Sequence, residues 1–263
     1  MVSPKASAPK ADVAEIQRAL DLLLEPGQVA ELRVIKTQQG TVFGYFTDFD
    51  KLAQAAAANS GKAPGVYVTL NPVNPDLLAR ANNRVKKYAR ETTADRDILK
   101  RRWFPIDFDA VRPAGISSTD AEHEAALARA RTCREWLGSQ DWPAPIFADS
   151  GNGAHLLYRI DLPSEDRNLV AQSLKALAAK FDDTEVVVDV GNYNPARIWK
   201  IYGTLAAKGD SVPERPHRLT RILDGPEMIP VTLDKLETLA ATAPGTAPRD
   251  EHSESPRDSR PFD

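Results

Sequence analysis

The chain of 263 residues contains a single cysteine, Cys133. No internal disulfide can form, and no cysteine-rich zinc centre can be built. A reducing, cytosolic setting is the default expectation. No run of 18 apolar residues occurs, so no helical membrane span is expected. The first ten residues lack the apolar stretch of a secretory signal. A large charge excess is also missing. The formal net charge is −3, so the protein is not globally basic. No internal repeat is found, which sets aside solenoid architectures.

The length suits one large α/β domain or two small ones with a substantial core. Residues 1–11, rich in Ala, Pro, Lys and Ser, read as disordered. Residues 12–24 carry apolar side chains at helical spacing (Val13, Ile16, Leu20, Leu23), and Pro26-Gly27 stops that helix. Stretches 29–36 and 41–46 read as a hairpin around Gln38-Gln39-Gly40. A helix over 48–58, a strand over 65–70 and a basic helix over 75–88 come next. They lead to a strand over 102–109, then a loop through Pro113 and Gly115. Thr119 and Glu122 form a capping box that opens a helix to residue 137. Strands 145–149 and 155–160 flank a glycine turn, a helix runs from 163 to about 181, and 185–190 is a strand. Asn194-Pro195 reads as an N-cap and first-turn proline of a short helix through 200. A strand over 218–223 and a helix over 232–241 close the folded part. From 243 to 263 the composition reads as a disordered tail, of the kind that continues as a linker. Helices and strands mix without regular βα alternation, so the fold class is α/β of the α+β kind, with antiparallel pairs around the motifs.

Chemistry concentrates in three stretches. Asp107 and Asp109 sit two apart on a strand and therefore share a face, roughly 7 Å from each other. Ile106, Phe108 and Ala110 point the other way, into a core. Asp189, at the end of the apolar run Val186-Val187-Val188, is the candidate third carboxylate. Hard cations such as Mg²⁺ or Mn²⁺ prefer such oxygen ligands. Two of them can activate a 3′-hydroxyl and steady a departing pyrophosphate. Ser150-Gly151-Asn152-Gly153 can present backbone N–H groups to phosphate, and His155 opens the next strand. Arg197, Lys200 and, further on, Lys208 are candidate phosphate contacts.

Each feature has a plainer reading. A Gly-x-Gly alone is usually a hairpin turn, a single histidine at a strand start is usually structural, and isolated cations are usually solvated. The chain even carries a decoy: Asp48-Phe49-Asp50 repeats the Asp-x-Asp spacing, but an alanine run comes after it. There Thr47 or Asp48 reads as a helix N-cap with acids in the first turn. A basic tract over 80–102, including Arg84, Lys86, Lys87 and Arg101, is a candidate nucleic-acid surface on an otherwise acidic protein.

Taken together, Asp107-Phe108-Asp109, Ser150 through His155, and Val188-Asp189 resemble the three ordered motifs of the archaeo-eukaryotic primase superfamily. The likeness is to primase-polymerase proteins of plasmids, phages and CRISPR-associated loci, over roughly residues 65–221. The stretch 192–209 and the run 67–71 with 80–83 are similar to it as well. The resemblance implies an RRM-like, palm-type catalytic core (about 101–242) joined to an N-terminal α/β module (about 12–100). It implies template-directed nucleotide transfer, with Asp107, Asp109 and Asp189 holding two Mg²⁺ or Mn²⁺ ions. Ser150, Gly151, Gly153, His155, Arg197, Lys200 and Lys208 would then hold an NTP or dNTP. Implied partners are a DNA template and primer, with a helicase or other replication domain beyond the tail. The implied location is cytoplasmic, at the nucleoid of a bacterium or on a mobile element. The cysteine/histidine zinc module of longer relatives is absent, which bears on starting chains more than on extending them, and no Walker A motif or helicase domain is found in the sequence. The competing readings are a metal-dependent nuclease and a non-catalytic nucleic-acid-binding replication module.

Overall fold

The computed structural model describes residues 9–245. The expected disorder of the first eight residues and of 246–263 lies outside that range. Helix α1 (Val13–Leu23) is capped by the Asp12 side chain, which accepts from Glu15 N–H. Strands β1 (Ala30–Thr37) and β2 (Gly40–Phe46) form the expected hairpin. Helix α2 (Phe49–Asn59) starts at Asp48, whose carboxylate accepts Lys51 N–H at 3.0 Å. That places the decoy pair at a helix N-terminus, as its sequence context indicates. Strand β3 (Tyr67–Thr69) pairs antiparallel with β1.

The stretch expected as a basic helix over 75–88 is different. A 3-10 turn covers Pro75–Arg80, and the chain then runs along the free edge of β2. Phe43 and Lys86 exchange two backbone hydrogen bonds, and Asn83 N–H donates to Tyr45 O. Asn83 and Tyr88 both take positive φ, which no helix continues through. The strap thus covers a sheet edge that would otherwise be open.

Strand β4 (Lys100–Ala110) is the spine of the second sheet. Helix α3 (Asp120–Gly138) opens on the Thr119–Glu122 capping box. Strands β5 (Ile146–Asp149) and β6 (Gly153–Pro163) flank the glycine turn. Helix α4 (Leu169–Phe181) starts later than expected: residues to 163 extend β6, and Arg167 and Asn168 have positive φ. Strand β7 (Val186–Val188) pairs with β4. The predicted helix after Asn194-Pro195 is instead strand β8 (Ile198–Lys200). Asp95 accepts Asn194 Nδ2–H and Ala196 N–H, closing a turn, and β8 then pairs with β3. Short strands β9 (Leu205–Ala206) and β10 (Arg218–Leu219) pair together. Strand β11 (Arg221–Asp224) joins β5, and helix α5 (Leu233–Ala241) ends the described fold. Ala243, expected at the start of the tail, is buried in the core.

Two sheets result, of order β2-β1-β3-β8 and β11-β5-β6-β4-β7. Within the second, β4-α3-β5-β6-α4-β7 with antiparallel order β5-β6-β4-β7 is the split βαβ arrangement of the RRM type. The alternation along β4 explains the layering. Phe104, Ile106 and Phe108 face a core built with α3, α4 and α5. Trp103 faces a second core, shared with α1, α2 and the first sheet. The first sheet takes β8 from residues 198–200, so the N-terminal module is not closed by residues 12–100. Among the described residues no helix is long and apolar enough to cross a membrane.

Candidate active site

Where the shared core ends, the seam between the sheets opens into a cleft of about 210 Å³. Its lining includes Asp107, Asp109, Ser150, His155, Arg197, Lys200 and Lys208, seven residues expected from the sequence. Register brings them together. Asp107 pairs with His155 and Asp109 with Gly153 across β4–β6. Across β3–β8, Lys200 stands opposite Tyr67, which also lines the cleft.

His155 Nε2 lies 3.5 Å from Asp107 Oδ1, and its Nδ1 is 2.9 Å from Tyr202 Oη. Tyr202 Oη also accepts from Trp199 Nε1 at 2.9 Å. Burial pushes the Tyr202 phenol far above its usual range, so it keeps its proton. With neutral imidazole, the phenol donates to Nδ1 and leaves Nε2–H facing Asp107.

Burial works against ionisation of Asp107, but His155, with Lys200 and Lys208, brings its carboxyl below the ordinary value. Asp109 moves the other way: burial and the Asp107 charge raise it. Arg112, just past the strand, reaches Asp109 Oδ1 at 3.3 Å. Lys200 is buried and donates to Ser150 O at 2.9 Å, tying the two sheets together. Burial and the Lys208 charge lower its pKa to about 8, against the pull of the two aspartates.

The glycine turn works differently from the expected backbone cradle. Gly151 N–H donates to Asp149 Oδ1 at 2.7 Å, and Gly153 N–H to Ser150 Oγ at 3.0 Å. Both N–H groups are thus bonded inside the turn, and neither glycine lines the cleft. Glycine is required there for packing. A Cβ on Gly153 would lie 2.1 Å from Phe108 O, and Gly151 has φ +83° with Ala206 against it. Asn152 lines the cleft; its Nδ2 is buried without a partner, while its Oδ1 accepts Ser118 N–H.

Asp189 lies just past β7 at the position opposite Asp107, and its N–H donates to Asp107 O at 2.9 Å. Its carboxylate turns to its own loop, accepting Gly191 N–H at 2.8 Å and the Asn192 amide at 3.1 Å. Among the described residues, no group of three or more His, Cys, Asp and Glu is placed to hold a metal ion. Arg197 donates to Gly191 O and leaves its buried Nε without a partner.

The basic tract divides. Arg84, Lys86 and Lys87 are exposed on the strap. Arg101 is not a surface cation: it is buried, bonded to Ser164 O and Tyr193 O, and paired with Asp166 at 3.4 Å. A strand residue with alternating burial carried it inward.

Sequence reasoning missed Tyr67 as a cleft wall, and also Arg112, Asn152, Asn192 and Tyr202. Arg112 had a weak signal, three residues after Asp109; Tyr202 had none, since its role needs the tertiary approach of β6.

No family model matches this chain, and no curated protein does. Among solved structures, the chain is similar to the AEP domain of the cyanophage S-2L primase-polymerase, at 14% identity and TM-score 0.51, covering 88% of this chain and 100% of that one. It also aligns with primase RepB′, at 10% identity and TM-score 0.46, covering 86% of this chain and 61% of that one. The first likeness assigns the fold: this chain has the α+β fold of a primase-polymerase AEP domain.

Proposed function

We propose that the protein is a template-directed nucleotidyltransferase that adds nucleotides to a 3′-hydroxyl, acting on a DNA template and primer. The observation that carries this reading is that Asp107 and Asp109, with His155 beside them on the next strand, share one cleft with Lys200, Arg197 and Lys208. Carboxylates face the reacting oxygens and cations face the phosphates. The fold, shared with a domain named a primase-polymerase, supports it.

The residues present fit divalent metal. Asp107 Oδ1 is buried with no hydrogen-bond partner closer than His155 Nε2 at 3.5 Å, and its charge helps raise the Asp109 carboxyl beside it, so a divalent cation between the two would relieve their repulsion. Asp107 and Asp109 would hold Mg²⁺ or Mn²⁺, and Asp189 would join by leaving Asn192. Such ions supply Lewis-acid activation of the attacking hydroxyl and charge neutralisation at the leaving pyrophosphate. The chain's own groups position the triphosphate. Lys200, pinned on Ser150 O, and Arg197 Nε present charge, and Asn152 Nδ2 presents a neutral donor. The Trp199–Tyr202–His155 chain fixes the imidazole edge that faces Asp107.

Incorporation of labelled nucleotides on a primed template with Mn²⁺, using NTPs and dNTPs separately, tests the reading. Asp107→Ala with Asp109→Ala should reduce incorporation by roughly 10³-fold or more, as loss of reacting-centre ligands does. Asp48→Ala with Asp50→Ala should leave it intact, with only a small drop in Tm from the lost cap. Mn²⁺-dependent strand cleavage without incorporation would make the protein a nuclease instead.

A further inference from the structure

The peptide between Ser150 and Gly151 is held from both ends. Its N–H donates to Asp149 Oδ1 at 2.7 Å, and its carbonyl, Ser150 O, accepts from the Lys200 ammonium at 2.9 Å. A trans peptide is planar, so its N–H and C=O point in opposite directions. Whatever fixes the N–H therefore aims the carbonyl. Gly151, at φ +83°, leaves the peptide little preference of its own, and the choice falls to Asp149.

Asp149 is itself held from outside the catalytic cleft. It is buried, and the oxygen that accepts Gly151 N–H also lies 2.8 Å from His123 Nε2. A carboxylate has no proton to give, so Nε2 carries the hydrogen and donates. His123 lies near the start of α3, which is fixed by the Thr119–Glu122 capping box and by Arg215 on both Glu122 oxygens at 2.8 Å. Neither His123 nor Asp149 lines the cleft. They line a separate hollow of about 590 Å³, with Arg218 and Arg221. Arg221 Nε stands 3.9 Å from the other Asp149 oxygen. The histidine–aspartate pair touches none of the reacting groups, yet it ends on a peptide whose far side holds a cleft cation.

We propose that His123 and Asp149 are positioning residues. They hold the Ser150–Gly151 peptide in the orientation that aims its carbonyl at Lys200, and so set where that ammonium meets a triphosphate. Without the pair the peptide is free to turn over, which takes Ser150 O away from Lys200. This rests on the nucleotidyltransferase reading for the reaction affected, but not for the hold on Lys200.

The experiment measures binding of a fluorescent dATP analogue to the full chain, alongside steady-state incorporation of dATP on a primed template. Asp149→Ala should weaken binding and raise KM by roughly tenfold, the worth of one hydrogen bond to a charged group, with kcat little changed. Partial misfolding does the opposite: it lowers kcat through the active fraction and leaves KM alone. Asp149→Asn, which keeps an acceptor for Gly151 N–H, should stay close to wild type. His123→Ala should move KM the same way by a smaller factor, and His123→Gln should restore it. These two supply the test where Asp149→Ala does not fold. The sharpest comparison uses a Lys200→Ala background, in which Asp149→Ala should cost no further affinity if it acts through the lysine. An unchanged KM in Asp149→Ala and His123→Ala, or an equal loss with and without Lys200, overturns the assignment. A wild-type chain that binds the analogue in an Asp149-dependent way but never incorporates refutes the polymerising role and leaves the positioning standing. A chain that incorporates while Asp149→Ala keeps the wild-type KM refutes the positioning alone. A chain that neither binds nor incorporates refutes both.

Discussion

At the scale of single residues, environment sorts groups that sequence cannot tell apart. Asp48 and Asp107 begin identical Asp-Phe-Asp triplets. One caps a helix, and the other stands in a seam facing His155 across 3.5 Å. The difference is legible in the residues flanking each triplet, an alanine run after the first and a β-rich neighbourhood before the second. Lys200 gives a sharper consequence. Its ammonium titrates at about 8 in the fold, against an ordinary 10.5. Incorporation should therefore fall as pH rises through about 8, when the charge facing the phosphates is lost. Stability should move oppositely. Between about 8 and 10.5 the unfolded chain still binds the proton that the folded chain has released, so unfolding free energy rises with pH. Paired pH profiles of incorporation and of Tm would show the divergence. Lys200→Arg should move the alkaline limb upward, since guanidinium does not deprotonate in this range. Asp109 adds a second case. Its raised carboxyl means the folded state holds a proton more tightly, and that stabilisation disappears as pH climbs past the folded value. Asp109→Asn should raise Tm at neutral pH without divalent ions. Mn²⁺ should raise the wild-type Tm more than the variant's, by differential scanning fluorimetry.

At the scale of elements, local signals held where the structure they describe is itself local. Asp48 and Thr119 cap the helices they announced, and Gln38-Gln39 turn the hairpin. Signals failed where a distant partner decided the outcome. Asn194-Pro195 announced a helix, yet Asp95 captured its donors and β3 offered an edge, so Ile198-Trp199-Lys200 became a strand. The basic run over 81–88 had helical spacing, but β2 offered its own free edge. Lys200 and Arg197 line one cleft with Asp107 all the same, since a strand beside β3 brings them there as a helix was expected to. The glycine turn shows the converse. Its position was legible, while the direction of its N–H groups was not. Gly153→Ala tests the packing account. The added methyl would meet Phe108 O in the β4–β6 ladder, costing about 1–3 kcal/mol and displacing Asp109. Chemical denaturation should register the loss, with activity falling alongside. Gly225→Ala, where nothing stands within 4 Å and φ is not positive, controls for loss of a glycine without a packing clash.

At the scale of the whole molecule, the two sheets behave as one body because they share a core. Trp103, Ile146, Leu157 and Ile222 from the second sheet pack with Leu32, Val68 and Trp199 from the first. The RRM-like half is recognisable on its own by strand order, as if it could be excised. We expect the opposite. A fragment of residues 101–242 would expose that face and leave β8 without β3, so it should lack near-UV circular dichroism and a cooperative melt. A native-like melt of the fragment would show that the halves are separable domains.

Strand β8 also sets when the protein becomes itself. Tyr67 and Lys200 pair across more than a hundred residues of sequence, so during synthesis β3 waits for its neighbour until residue 200 has been made. Until then the nascent chain presents a bare strand edge, the surface that invites pairing with another chain. It also lacks both Lys200 and Arg197, two of the cations that line the cleft. A polypeptide released early is thus prone to pair with its own kind.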